Sequence, residues 1–287
     1  MSDILARIVA AKREEVAARK VRVPLAAARA DAEALARESP ARDFTGALRA
    51  ARPRGGGRDV HIIAEIKRRS PSKGEFPWRG DLARHAQDYE RGGARCISVV
   101  TDAPFFGGTE DMLRQVRAAQ GLPVIQKDFI LEPWQVYRAR SIGADAILLI
   151  AACLQGAALR DLHALARGLG LHVLVEVVDE AEFRRADDAG AVLIGVNNRD
   201  LRTFAVDPAR TERLLPLYRD EQVAVCESGI HTPEDVARML RAGVDGFLVG
   251  EALMTADDPA AHLTRLRTEG AALARTPQAQ AARAEGR

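Results

Sequence analysis

The chain has 287 residues, of which 47% are hydrophobic and 29% charged, enough apolar material for a large core beneath an ordinary solvated surface. Its 42 basic and 40 acidic side chains leave a formal charge of +2, which offers no basic excess for nucleic acid or for an anionic membrane surface. No window of about 18 uncharged apolar residues is present to span a bilayer, and the charged N-terminus MSDILARIVAAKREEVAARK is not a signal peptide, so a cytoplasmic protein is expected.

Residues 1 to about 51 carry helical patterns only: Ile4, Ile8, Lys12 and Glu15 at helix spacing, then Leu25 to Arg37, then Asp43 to Ala51. Ser2 or Asp3 is expected to cap the first helix and Asp43 the third. The run Arg52-Pro-Arg-Gly-Gly-Gly-Arg58 reads as a flexible joint, within a linker over 52–60.

From His61 the pattern changes to short β-branched runs alternating with amphipathic helices. Strands are predicted at 61–67, 96–101, 124–129, 146–151, 172–177, 192–197, 223–228 and 246–250. Helices are predicted near 81–91, 109–120, 133–142, 156–169, 179–189, 208–217, 232–242 and 258–269. Glycines at 93, 143, 190 and 243 read as helix C-caps before the turn into the next strand. Eight such units make an α/β protein whose simplest form is a closed (β/α)8 TIM barrel over 61–269 with an N-terminal helical extension. A doubly wound open sheet is the alternative, although no GxGxxG or GxxxxGK[ST] follows an early strand. The tail 270–287, rich in Ala, Arg and Gln, is expected to be disordered.

Several predicted strands end in charged or polar residues where Val, Ile and Leu belong. Glu65 and Lys67 share a face of the first strand, Lys127 follows Val-Ile-Gln, and Glu176 follows Val-Leu-Val. Asn197, Ser228 and Gly250 end the sixth, seventh and eighth strands. All lie at C-terminal strand ends, the face that carries active sites in this fold. A structural ion-pair layer is the plainer reading, but two Lys and two Glu converging in a half-dry mouth also make acid and base roles near neutral pH. The loops after strands seven and eight, with Gly229, Gly250 and the Thr232-Pro233 helix start, suit a phosphate cradle. Arg199 can add a charged fork there, whereas Glu251 is expected to present only its backbone N–H. The basic loop 68–75, including Ser70, suits an anion-facing flap, and Phe105, Phe106 and Phe129 suit an aromatic wall. His61, His85, His163, His172 and His231 lack metal-ligand spacing, and Cys96, Cys153 and Cys226 read as reduced core residues. No metal is called for.

Together these motifs resemble one family, indole-3-glycerol phosphate synthase of tryptophan biosynthesis. The resemblance rests on IAEIKRRSPS (63–72), SVVTD (98–102) with FGG (106–108), KDF (127–129), GADAILLI (143–150) and LVEV (174–177). It continues through GVNNRDL (195–201), ESGI (227–230) and VGEALM (249–254), in order along nearly the whole chain. Gln126 and the tail are the departures.

The resemblance implies ring closure, decarboxylation and dehydration of 1-(2-carboxyphenylamino)-1-deoxyribulose 5-phosphate with no cofactor; the length allows one barrel, so a monofunctional enzyme is expected, and a monomer. It implies Lys127 as general acid toward the ketone and Glu176 in the proton transfers of dehydration. Lys67 would hold the substrate carboxylate and supply a proton, and Glu65 would position that lysine and the amino nitrogen. Asn197 and Ser228 would orient hydroxyls with Glu227 nearby, while Arg199, Gly229, Gly250 and the Glu251 amide take the phosphate. Ser70 and Phe129 would line the arylcarboxylate end, and the N-terminal helices would cover the mouth. Another phosphate-gripping barrel, such as a sugar-phosphate isomerase, and a phosphate-binding sensor are the rival readings.

Overall fold

Three helices precede the first strand in the computed structural model, which describes residues 4–49, 59–77, 81–200 and 205–276. They are α1 (Ile4–Arg22), α2 (Leu25–Glu38) and α3 (Phe44–Arg49). Asp43 takes the capping role expected of it, its carboxylate accepting from Gly46 N–H at 2.8 Å. Ser2 and Asp3 lie outside the described residues, as does the joint at Arg52–Arg58.

The strands are β1 (His61–Ile66), β2 (Cys96–Val100), β3 (Val124–Lys127), β4 (Ala146–Ile150), β5 (His172–Val177), β6 (Leu193–Asn197), β7 (Val223–Glu227) and β8 (Gly246–Val249). Each pairs in parallel with its neighbours in chain order, and β8 returns to β1 through His61 opposite Gly246 and Ala64 opposite Val249. The sheet is therefore a closed barrel and not a doubly wound open sheet. Closure leaves no unpaired edge and buries both faces, which is why the strands are apolar almost throughout.

Alternation along the strands sorts side chains into two cores. Ile62, Ile66, Ile97, Val99, Ile147, Leu149 and Val175 point outward, against the surrounding helices. Ile63, Ile125, Leu148, Leu174, Leu193, Val225 and Leu248 fill the barrel itself. Glu65, Lys127, Glu176 and Glu227 fall on this inward face, so they form its uppermost tier.

The helices around the sheet are α4 (Leu82–Arg91), α5 (Ala103–Phe106), α6 (Glu110–Ala119), α7 (Pro133–Ser141), α8 (Ala158–Gly168), α9 (Glu180–Asp188), α10 (Ala209–Leu214), α11 (Pro233–Ala242), α12 (Glu251–Thr255) and α13 (Pro259–Arg275). Local chemistry starts and stops them. The Thr232 hydroxyl accepts from Asp235 N–H while the Asp235 carboxylate returns to Thr232 N–H, and Pro233 supplies a preset first-turn φ. At the far end Gly243 takes φ 118°, a left-handed cap denied to residues with a side chain. The short helices α5 and α12 were not predicted, being too short to carry a periodic signal.

Two expectations are corrected. The extension does not lie wholly on the mouth. Only α1 does so; α2 packs along α7 on the flank, and α3 plugs the opposite end. There Leu48 O meets His61 Nδ1 at 2.7 Å, Thr45 Oγ1 meets His172 Nδ1 at 2.8 Å, and Phe44 and Leu48 join the barrel's inner core. The physical reason is that a closed barrel exposes apolar floor at its N-terminal end, and Phe44 and Leu48 are the apolar groups that cover it. The C-terminal helix also runs past Gly270 to Arg275, because Gly270 is buried against Val236 of α11 and lets the two helices approach closely.

Candidate active site

The polar tier at the top of the barrel is built by register. Glu176 of β5 stands opposite Gly195 of β6, and Asn197 of β6 opposite Glu227 of β7. Gly195 is needed there, since a Cβ on it would overlap the Glu227 carboxylate. Gly250 makes a similar space, because a Cβ would run into the Glu65 carboxylate and the Lys67 ammonium.

Two lysines and three glutamates meet in this tier. The Lys127 ammonium lies 3.4 Å from Glu176 and 3.2 Å from Glu227, while Lys67 lies 2.7 Å from Glu65. Burial pulls the Lys127 pKa down, but Glu227, Glu176 and Glu65 more than offset it, so the ammonium stays protonated well above the usual range. Burial pushes Glu227 up to about 8, Glu176 adding to the shift and Lys127 opposing it. Glu65 goes the other way: burial would raise it, yet Lys67 and then Lys127 hold it below the ordinary carboxylate value. The tier thus contains one ionised carboxylate, one that keeps its proton near neutrality, and a firmly charged ammonium between acids.

Beside it, Asn197 Oδ1 accepts from Ser228 Oγ and from Arg199 N–H, both at 3.0 Å. Ser228 is the one described non-glycine residue with positive φ, at 66°, and Gly229 follows at 81°. Gly229 adopts this conformation without a side-chain penalty, so the loop after β7 turns tightly where it lines the cavity. The Glu251 carboxylate departs from expectation. It does not turn away but pairs with Arg199 at 3.3 Å and with Lys73 of the flap at 3.0 Å. The flap itself is a tight hairpin, Arg69–Ser70 against Gly74–Glu75, with Ser70 Oγ 3.2 Å from Lys73 N–H.

Thirteen of the residues nominated from sequence line one cavity: Glu65, Lys67, Ser70, Lys127, Phe129, Glu176, Asn197, Arg199, Glu227, Ser228, Gly229, Gly250 and Glu251. The opposite wall is apolar, formed by Ile4, Leu5 and Ile8 of α1 with Phe106, Phe129, Leu148 and Ile150. Phe106 and Phe129 approach with ring centroids 6.1 Å apart, whereas Phe105, grouped with them from sequence, does not line the cavity.

Sequence reasoning missed what holds α1 in place. Lys12, read only as a helix-face residue, is 1% exposed and bonds Asp102 at 2.9 Å, Asp128 at 2.8 Å and Glu15 at 2.7 Å. Burial disfavours its charge, but Asp128 and Asp102 overcome that and raise its pKa. Asp128 also accepts from Thr101 Oγ1 at 2.6 Å and from Phe129 N–H at 2.8 Å, and Gln126 donates to the same Thr101 at 2.9 Å. The available signal was the pair of acids, Asp102 and Asp128, just past the ends of β2 and β3.

A family model described as indole-3-glycerol phosphate synthase matches residues 5–266. The chain belongs to the indole-3-glycerol phosphate synthase family. Among its relatives, the indole-3-glycerol phosphate synthase of Verminephrobacter eiseniae is 51% identical over 271 residues, covering 93% of this chain and 99% of that protein. That of Polaromonas naphthalenivorans is 52% identical over 268 residues, again covering 93% and 99%. Among solved structures, the thiamine phosphate pyrophosphorylase of Pyrococcus furiosus superposes with a TM-score of 0.56 at 19% identity, covering 75% of this chain and 96% of that one. The last likeness shows the barrel alone. The match to the synthase family begins within α1 and ends within α13, so it takes in both α1, which walls the cavity, and α3, which closes the floor. No helix among the described residues is long and apolar enough to cross a membrane.

Proposed function

We propose that this cavity performs the family's reaction with the residues described above. Family membership makes the chain a lyase of tryptophan biosynthesis acting on a small phosphorylated substrate. The substrate is 1-(2-carboxyphenylamino)-1-deoxyribulose 5-phosphate, and the products are indole-3-glycerol phosphate, carbon dioxide and water. The observation that carries the residue assignment is the Lys127 ammonium held between Glu176 and Glu227 on the cavity wall.

In our reading the arylcarboxylate end enters the apolar half between Ile8 and Phe129, and the phosphate faces Ser228, Gly229 and Gly250 with Arg199 beside them. The ring carbon that bears the carboxylate attacks the ribulose ketone, and Lys127 gives its proton to the ketone oxygen as the C–C bond forms. Loss of carbon dioxide returns the bonding electrons to the ring. The new hydroxyl then leaves as water, with Glu176 managing the proton and Glu227, which keeps a proton near neutrality, able to refill the Lys127–Glu176 pair. Lys67, fixed by Glu65, holds the substrate carboxylate. Asn197 and Ser228, hydrogen-bonded to one another, orient the ribulose hydroxyls. Ser70 on the flap closes the aryl end. The apolar lid of α1 excludes water and so strengthens each of these charge interactions.

The working unit is read as a monomer, which sedimentation of the purified protein checks. The reaction is assigned to the cytoplasm, where the thiols of Cys96, Cys153 and Cys226, none of them in a disulfide, persist. The direct test is to mix purified protein with the substrate and follow indole absorbance and fluorescence. Product formation is expected. Folded protein that binds the substrate without turning it over would instead support a ligand-binding barrel.

A further inference from the structure

The phosphate end contains a feature at odds with its use. Arg199 lines the cavity with Gly229 and Gly250, and both it and Lys73 of the flap are engaged by one carboxylate, Glu251, at 3.3 and 3.0 Å. Glu251 opens α12 immediately after Gly250 and lines the cavity beside it. A carboxylate there repels a phosphate and also neutralises the cations that would attract one. Arg199 and Glu251 are each only about one-fifth exposed, so water does not dissolve the pairing.

We infer that Glu251 is a built-in competitor for the phosphate site, an internal anion that any incoming phosphate must displace from Arg199 and Lys73. The inference rests on the reading of this end of the cavity as the phosphate site. Its value is in selectivity. Displacing Glu251 subtracts the same binding free energy from every anion. A free phosphate ion brings only its own few contacts and is left weak. The full substrate also fills the apolar wall and meets Lys67, so it can bear the loss. The carboxylate thus keeps the cavity clear of small cellular anions, and passes Lys73 and the flap to the substrate's phosphate when that substrate arrives.

The test is inhibition by inorganic phosphate, measured against the substrate for the wild type and for Glu251→Gln and Glu251→Ala. Both variants keep the backbone N–H, and circular dichroism establishes that they are folded. The expected result is that the inhibition constant for phosphate falls about tenfold in both variants and that KM falls with it. The turnover number does not rise, because binding gained equally in ground and transition states leaves the chemical step alone. Phosphate that still competes with substrate, but with unchanged or weaker affinity in the variants, overturns the competitor role and leaves the phosphate site standing. Phosphate that fails to compete in any of the three proteins overturns the phosphate reading itself, and this inference with it.

Discussion

Lys127 and Glu227 set the chemistry between them, and each can be tested separately. A general acid contributes roughly 10²- to 10⁴-fold to rate, so Lys127→Ala should lower kcat by at least about 10²-fold while the circular dichroism spectrum stays that of the parent. Near-normal turnover would remove Lys127 from the mechanism. Glu227 allows a thermodynamic test. Its carboxyl titrates near 4.5 when unfolded and near 8 when folded, so folding takes up a proton between those values. The stability it contributes is fully present below about pH 4.5 and is lost as pH rises toward 8. Glu227→Gln should remove that part of the slope, so urea midpoints measured from pH 5 to 8 should fall less steeply than in the wild type. Parallel slopes would show that Glu227 ionises normally. The strand-end charges were legible in sequence because each breaks an apolar run. The grouping of Glu227 with Lys127 was not, since β3 and β7 never pair and meet only across the closed barrel.

Among the elements, strands and the long helices other than α13, which runs six residues past its expected end, were legible to within a few residues, because closed parallel sheets demand apolar runs and surface helices demand amphipathic ones. What escaped was placement. Periodicity reveals that α1 has an apolar stripe, but not that Lys12 within it is the group that docks the helix. Asp102 and Asp128 belong to loops whose approach depends on the β2–β3 pairing. Lys12→Met should leave two buried carboxylates without their cation and destabilise the protein by about 3–5 kcal/mol, read from urea unfolding. Because Ile4, Leu5 and Ile8 share that helix and line the cavity, KM should rise as well. Adding Asp102→Asn should restore part of both. A Lys12→Met protein with wild-type stability and KM would show that the apolar stripe alone docks α1.

The whole molecule divides its labour between two ends. Chemistry sits at the C-terminal ends of the strands, and the N-terminal end is sealed by Phe44 and Leu48 of α3. Phe44→Ala should therefore cost about 3–5 kcal/mol of unfolding free energy while KM and kcat, measured well below the melting temperature, stay near wild type. A large rise in KM would mean that the floor and the mouth are coupled. Barrel closure itself was legible from the count of strand–helix units. The division of the extension between mouth, flank and floor was not, because a helical pattern carries no record of which distant surface will receive it.

That division has a consequence for how the protein is made. Phe44 and Leu48 leave the ribosome long before the surfaces that enclose them, since the floor is walled in part by β7 and β8, whose last residue is Val249. During most of translation these side chains, and the apolar edge of α1 with them, have nowhere native to go. Nascent chains halted before Val223 should therefore hold them exposed and bind a hydrophobic probe, and chains halted after Val249 should not. The segment synthesised first is among the last to find its place, so for the greater part of its synthesis the chain carries apolar surface without its native cover, the condition under which nascent chains associate wrongly.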